Sequence, residues 1–173
     1  ELSPYSDIDL MVLFRPEAAK IVPEFVRQVL HPLWDIGFQV GHSVRTIPDC
    51  ISLGLSAATV RTSMMEARFL TGNSQLFQEF HSAYFRRVAT ASVDKYLDQK
   101  LVERRREYEK FGETVYLLEP NVKKSQGGLR DLHLLQWAGI ARYQAPTIRE
   151  LSDRGMLSRQ DYVVVSEARE FLL

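Results

Sequence analysis

The chain opens on ELSPYSDIDLMVLF, in which Asp7 and Asp9 stand at the head of an apolar run. The run Leu10 to Phe14, preceded by a turn rich in serine and proline, predicts a buried β-strand. In a strand, residues i and i+2 point to the same face, so the two carboxylates project together while Ile8 turns towards the core. The acidic pair is therefore anchored on a rigid element of a sheet.

Two neighbouring carboxylates repel each other and favour a divalent cation between them. Magnesium is usually held by one or two carboxylates together with substrate phosphates. The pair Asp7 and Asp9 therefore predicts a metal-dependent phosphoryl or nucleotidyl transfer site. An Asp-x-Asp sequence by itself is also common on surfaces that bind no metal, and only the turn before it and the apolar strand after it favour the metal site.

Charge and cysteine content narrow the class of protein. Basic and acidic residues balance at 22 each, which gives no support to nucleic-acid binding. The single cysteine, Cys50, excludes an internal disulfide, and the four histidines lack the spacing of metal ligands. No apolar run approaches the roughly 18 residues of a membrane span, and no secretory signal is present. We therefore expect a cytoplasmic protein that contacts neither membrane nor nucleic acid.

The apolar periodicity changes near residue 73 and divides the chain into two parts. Residues 1–73 predict strand, helix, strand, short helix, strand and helix, with the third strand at Ala58–Val60 and the last helix at Thr62–Leu70. Residues 74–173 predict long helices, and both tryptophans, Trp34 and Trp137, are expected in the core. The predicted fold class is α/β (α+β): a small mixed-sheet core followed by a helical segment. Both ends look cut, which indicates a piece of a longer protein.

A second polar segment, EPNVKKSQGGLRDL, places two glycines before a predicted helix, with Lys123, Lys124 and Arg130 around them. Exposed amides at the positive end of a helix dipole bind anions, and nearby cations strengthen such a site for phosphate. Glycines before a helix are equally common as ordinary loop residues. Arg130 and Asp131 also fit an ion pair that locks the helical segment on the core. The charge run Glu103–Glu107 is interpreted as a solvated helix face.

Four segments, in order, resemble the bifunctional uridylyltransferase/uridylyl-removing enzyme family of bacteria, which modifies the nitrogen-signalling protein PII. They are the acidic segment, VGHSVRT at Val40–Thr46, MEARFLTG at Met65–Gly72, and the segment around the two glycines. The resemblance implies the nucleotidyltransferase fold typified by DNA polymerase β. Residues 1–73 would then form the nucleotidyltransferase core without its glycine-rich lead, and residues 74–173 a fragment of the family's helical domain.

The same resemblance implies a transferase site. Asp7 and Asp9 match the aspartates that bind magnesium ions carrying UTP or another nucleoside triphosphate, and a tyrosine of PII would attack the α-phosphate. We further expect Ser6, Lys123 and Arg130 to contact the nucleotide. The uridylyl-removing activity of the family would belong to a separate metal-dependent module, and no His-Asp pair in this segment supports that activity.

One departure from the family pattern concerns a third metal carboxylate, which the family places on a strand eight residues before the MEAR motif. That position is Ala57, which cannot bind a metal, and neither Asp49 nor Glu66 obviously replaces it. Three interpretations therefore stay open. The chain belongs to an active nucleotidyltransferase, to a nucleotide-binding regulatory relative with impaired transfer, or to a structural or protein-interaction domain without a ligand.

Overall fold

A computed structural model of the chain describes residues 8–111 and 121–172, apart from the side chain of Phe111. In these ranges the regular elements are two strands, eight α-helices, a 3-10 turn at Pro16–Ala18 and a π-helical turn at Phe85–Ala89. In chain order the strands and α-helices are β1 (Ile8–Leu13), α1 (Val22–Asp35), β2 (Val40–Arg45), α2 (Ile47–Ser56), α3 (Ala58–Met65), α4 (Ser74–Tyr84), α5 (Val93–Phe111), α6 (Leu129–Tyr143), α7 (Ile148–Asp153) and α8 (Arg159–Leu172).

The strands β1 and β2 pair in parallel, and α1 is the crossover between them. Helix α1 has a proline in its first turn, where the missing N–H is harmless, and Gly37 follows the helix with φ +89°. The register sets Asp9 opposite Gly41 and Met11 opposite Ser43. Strand β1 is mostly half-buried rather than fully buried, because the described sheet has only these two strands.

The third strand predicted at Ala58–Val60 is wrong, because these residues begin α3. The β-branched pair Thr59 and Val60 favoured a strand in the sequence. In the fold, α3 instead buries a helical set of side chains, namely Arg61, Thr62, Met64 and Met65. This burial outweighs the local preference. The helix predicted over Thr62–Leu70 therefore starts earlier and ends at Met65.

The core lies among the helices that follow the sheet. Its largest fully buried side chains come from α4, α5 and the neighbouring elements: Tyr84, Tyr96, Phe80, Leu30, Val88 and Cys50. Trp137 is buried among them, as predicted. The same prediction is wrong for Trp34, which is 42% exposed on α1 and donates its Nε1–H to the Val40 carbonyl at 3.3 Å.

The predicted fold class, a small α/β core followed by helices, is confirmed. None of the helices in the described ranges combines the length and the apolar character needed to cross a membrane.

Candidate functional site

Asp9 is the second residue of β1 and lies directly opposite Gly41 of β2. Its side chain is exposed and accepts no hydrogen bond from any residue in the described ranges. The carboxylate oxygens are thus open to a ligand. The two other residues predicted near it, Ser6 and Asp7, lie outside the described residues, so the paired carboxylates stay a prediction.

Helix α2 contacts the face of the sheet that carries Asp9, at the position of Met11. Asp9 and Met11 point to the same face, since they are two residues apart in a strand. The sulfur atoms of Met11 and Cys50 are 3.8 Å apart, which places α2 against that face. The site is therefore built on a strand and a packed helix.

Ala57 follows α2 directly and is also the N-cap residue of α3. Its backbone is extended, with φ −132° and ψ 118°, but it belongs to no strand. Its side chain is a methyl group and caps nothing, so the first amides of α3 lack the side-chain oxygen that usually accepts from them. Residue 57 thus contributes neither a metal ligand nor a helix cap.

The two nearest acidic residues are already engaged by other groups. Asp49 forms a capping box with Thr46: its Oδ2 accepts from the Thr46 amide at 2.9 Å and from the Thr46 hydroxyl at 2.6 Å. Those hydrogen bonds lower the pKa of Asp49 below its usual value. Glu66 accepts a hydrogen bond from the Trp137 indole at 2.6 Å. Both carboxylates therefore already have hydrogen-bond partners.

The glycine loop does not present the free amides that the sequence predicted. The Gly127 amide donates to Asp131 at 2.8 Å, and the Gly128 amide donates to the Ser125 carbonyl at 3.0 Å. The next two amides along the chain donate to the carbonyls of Val122 and Lys123. Gly128 is required by close packing, because a Cβ there would lie 2.5 Å from the Val122 oxygen. The prediction of an anion site built from these amides is therefore wrong.

Arg104 and Asp131 hold this loop on α5. Arg104 is only 5% exposed and donates to both Asp131 oxygens, at 2.7 and 3.0 Å. It also donates to the carbonyls of Lys124 and Ser125, each at 2.8 Å. The Tyr108 hydroxyl completes the set by donating to Asp131. We call these contacts the Arg104 clamp.

The clamp corrects two interpretations of the sequence. Arg104 belongs to the charge run interpreted as a solvated face, yet it is buried. The predicted ion pair between Arg130 and Asp131 is wrong, because Asp131 pairs with Arg104, and this contact joins α5 to α6 within the helical segment. Burial alone would raise the pKa of Asp131, and the hydrogen bonds from Arg104, Tyr108 and Gly127 overcome it and lower the pKa. No local sequence pattern joins residues 27 positions apart.

Lys123 and Arg130 are neighbours at the start of α6, because the Arg130 amide donates to the Lys123 carbonyl at 3.0 Å, and both charges act on His133. Burial lowers the pKa of His133; the charge of Glu66 opposes that effect, and the charges of Arg130, Lys123 and Arg169 lower the pKa further. Lys123 is exposed, and the Arg130 guanidinium lies 5.8 Å from the centre of the Trp137 ring. The backbone hydrogen bond thus places the two residues next to each other. No hydrogen bond or ion pair in the described ranges joins either of them to Asp9, so a shared nucleotide site stays a prediction.

The donor set fits magnesium only in part. Asp9 supplies the hard, unengaged oxygen ligands that magnesium prefers. Within residues 8–111 and 121–172, no three His, Cys, Asp or Glu side chains lie close enough together to hold a metal ion. A complete set at this position would therefore depend on Asp7 and on oxygens of the substrate.

Gly41 is the site residue that sequence reasoning missed. A lone glycine in a strand pattern often marks a close approach, and that signal was present in VGHSV. A Cβ at Gly41 would lie 2.6 Å from Asp9 Oδ1. The carboxylate therefore occupies the space above Gly41.

Comparison with known proteins places this arrangement in a family. The family model described as GlnD PII-uridylyltransferase matches residues 95–173. A bifunctional uridylyltransferase/uridylyl-removing enzyme of Rhodospirillum rubrum is 37% identical over 172 residues, which cover 99% of this chain and 18% of that relative. The chain thus spans less than a fifth of the length of this relative, and no solved structure matches it significantly. Sequence similarity along both parts of the fold shows that the chain belongs to the PII-uridylyltransferase family.

Proposed function

We propose that this chain forms the nucleotidyltransferase region of a longer cytoplasmic protein that transfers UMP from UTP to a tyrosine of a PII nitrogen-signalling protein. The observation that carries the proposal is the open carboxylate of Asp9, held on a strand that packs against α2 through Met11. The name of the Rhodospirillum relative, a uridylyltransferase, supports the choice of reaction.

In this proposal Asp9, together with Asp7, holds a magnesium ion on the triphosphate. Bound there, magnesium would neutralise phosphate charge and orient the α-phosphate. Lys123 and Arg130, which are neighbours at the start of α6, would bind the remaining negative charge on the nucleotide. The tyrosine hydroxyl would lose its proton to solvent as its oxygen forms the new bond to the α-phosphorus. The bond from that phosphorus to the bridging oxygen would break, and pyrophosphate would leave with its electrons. The role of the chain is mainly to position the substrate and to stabilise charge.

A second candidate function is favoured by Ala57. A site with a methyl group at this position, and with Asp49 and Glu66 engaged elsewhere, lacks one carboxylate of the family pattern. Such a site would bind magnesium and nucleotide through Asp7 and Asp9 and transfer UMP poorly. The protein would then act as a nucleotide-binding regulatory relative.

The deciding experiment uses the full-length protein with labelled UTP, magnesium and PII. For the enzyme, we expect wild-type protein to label PII, Asp9→Asn to abolish labelling, and Asp35→Asn, an exposed carboxylate at the end of α1, to leave it unchanged. For the regulatory relative, wild-type protein binds magnesium and UTP without labelling PII, and Ala57→Asp gains transfer. Ala57→Asn is the matched control, because it can cap α3 but adds no charge.

Equal labelling by wild-type protein and by Asp9→Asn would refute the role of the acidic segment in both candidate functions. Failure of wild-type protein to bind UTP with magnesium would refute nucleotide binding altogether.

A further inference from the structure

Gly41 leaves an open space on β2, and the carboxylate of Asp9 occupies it. A Cβ placed on Gly41 would lie 2.6 Å from Asp9 Oδ1 and 3.8 Å from Asp9 Cγ. Real Cβ atoms essentially never approach another heavy atom within 3.0 Å, so this carboxylate position excludes every residue other than glycine at 41. The contact follows from the register, which pairs the two residues directly.

The conflict falls on a movable group. The closest atom to the added Cβ is a carboxylate oxygen, and the nearest backbone atom, the Ile8 carbonyl oxygen, lies 3.9 Å away. An alanine at 41 would therefore fit the backbone and displace the carboxylate. Oδ1 would have to move by about 0.8 Å to reach ordinary van der Waals contact, which is more than the roughly 0.5 Å tolerance of a functional site.

No hydrogen bond from the described residues fixes Asp9, and the missing side chain at Gly41 is what leaves room for its carboxylate. Glycine weakens a strand interior because it has no side chain to pack and loses more backbone entropy. Its presence as the second residue of β2 thus has a local structural cost, and the structure shows that the same position provides room for the Asp9 carboxylate.

We propose that Gly41 is a positioning residue: its missing side chain allows the Asp9 carboxylate to lean across β2, and this direction sets how Asp9 meets a divalent cation. What the carboxylate binds rests on the proposed function. The position of the carboxylate does not, so the two are tested separately.

The first test is structural. The full-length protein is solved as wild type, as Gly41→Ala and as Ser43→Ala, which places an alanine on the same face of β2 opposite Met11. We expect Asp9 Oδ1 to shift by about 0.8 Å or more in Gly41→Ala, the distance needed to restore van der Waals contact. The strand register should persist, and Ser43→Ala should show no shift at Asp9. An unmoved carboxylate in Gly41→Ala, accommodated by displacement of β2, would overturn the proposal.

The second test measures binding of manganese alone, without nucleotide or PII, by electron paramagnetic resonance. We expect Gly41→Ala to weaken manganese binding by about 10- to 100-fold, as for other residues that orient a metal ligand, and Ser43→Ala to match wild type. In an Asp9→Asn background, Gly41→Ala should have no further effect, because it acts only through that carboxylate.

The outcomes separate the two ideas. If Asp9→Asn leaves manganese binding unchanged, the proposed function fails, and the structural test alone decides whether Gly41 positions Asp9. If Asp9→Asn weakens binding and Gly41→Ala binds as tightly as Ser43→Ala, the positioning role is overturned. An equal loss from Gly41→Ala with and without the Asp9 carboxylate would also overturn it, since the effect would then be general to the strand.

Discussion

Removal of Arg104 should open the glycine loop. The variant Arg104→Ala removes both hydrogen bonds to Asp131 and both bonds to the loop carbonyls of Lys124 and Ser125. Breaking a buried ion pair by deleting one partner costs about 3–5 kcal/mol. The Asp131 side chain is 28% exposed, and Tyr108 and Gly127 still donate to it, so we discount the cost to about 2–4 kcal/mol.

This cost can be measured as local opening. Amides of Gly127, Leu129 and Arg130 donate within the loop, so they exchange with solvent only when the loop opens. At 1.4 kcal/mol for each factor of ten, Arg104→Ala should accelerate their exchange roughly 30- to 700-fold. Hydrogen-exchange mass spectrometry on peptides that cover residues 121–131 of the full-length protein gives this ratio.

The matched control is Arg105→Ala, which removes an exposed arginine from the next position of α5. We expect exchange in the loop to stay within a few-fold of wild type in this variant, because surface substitutions usually change stability by about 0.5 kcal/mol or less. Equal acceleration in both variants, or none in Arg104→Ala, would refute the assignment of the clamp as the contact that holds the loop.

Three further outcomes follow from the contacts. The folded-state pKa of Asp131 lies below its unfolded value, so its contribution to stability is present above about pH 4 and lost as the pH falls further. Urea unfolding midpoints should fall over that pH range, and this part of the pH dependence should be absent in Asp131→Asn. Ala57→Asp should cap α3 and raise stability by about 0.5–2 kcal/mol even with metal chelated, as thermal unfolding in EDTA would show. Gly54→Ala would place a Cβ 2.3 Å from the buried Tyr84 hydroxyl and less than 3.0 Å from two carbons of its ring, and should cost about 1–3 kcal/mol, as a lower melting temperature would show.

The parts of the fold that the sequence predicted well are those fixed by local patterns. The apolar run after Asp9 predicted β1, and the helix and strand predicted after it are α1 and β2. The helix predicted after the two glycines is α6. Each of these depends on residues that are close together in the chain.

The errors arise where distant contacts decide. Thr59 and Val60 favour a strand by themselves, but burial of Met64 and Met65 against the core draws them into α3. The glycine loop resembled an anion site because the sequence does not show that Asp131 accepts the Gly127 amide. Ser6 and Asp7 lie outside the described residues, so their roles stay predictions.

The placement of the two tryptophans has a practical consequence for spectroscopy. Trp34 is 42% exposed, whereas Trp137 is 5% exposed and donates to Glu66, so the two indoles have environments of very different polarity. Trp34→Phe would leave Trp137 as the one tryptophan of this segment. Its indole N–H, on α6, donates to Glu66 at the end of α3. Its emission should shift to longer wavelength when those two helices separate. The segment thus carries an intrinsic optical reporter of the distance between the MEAR motif and the helix that follows the glycine loop.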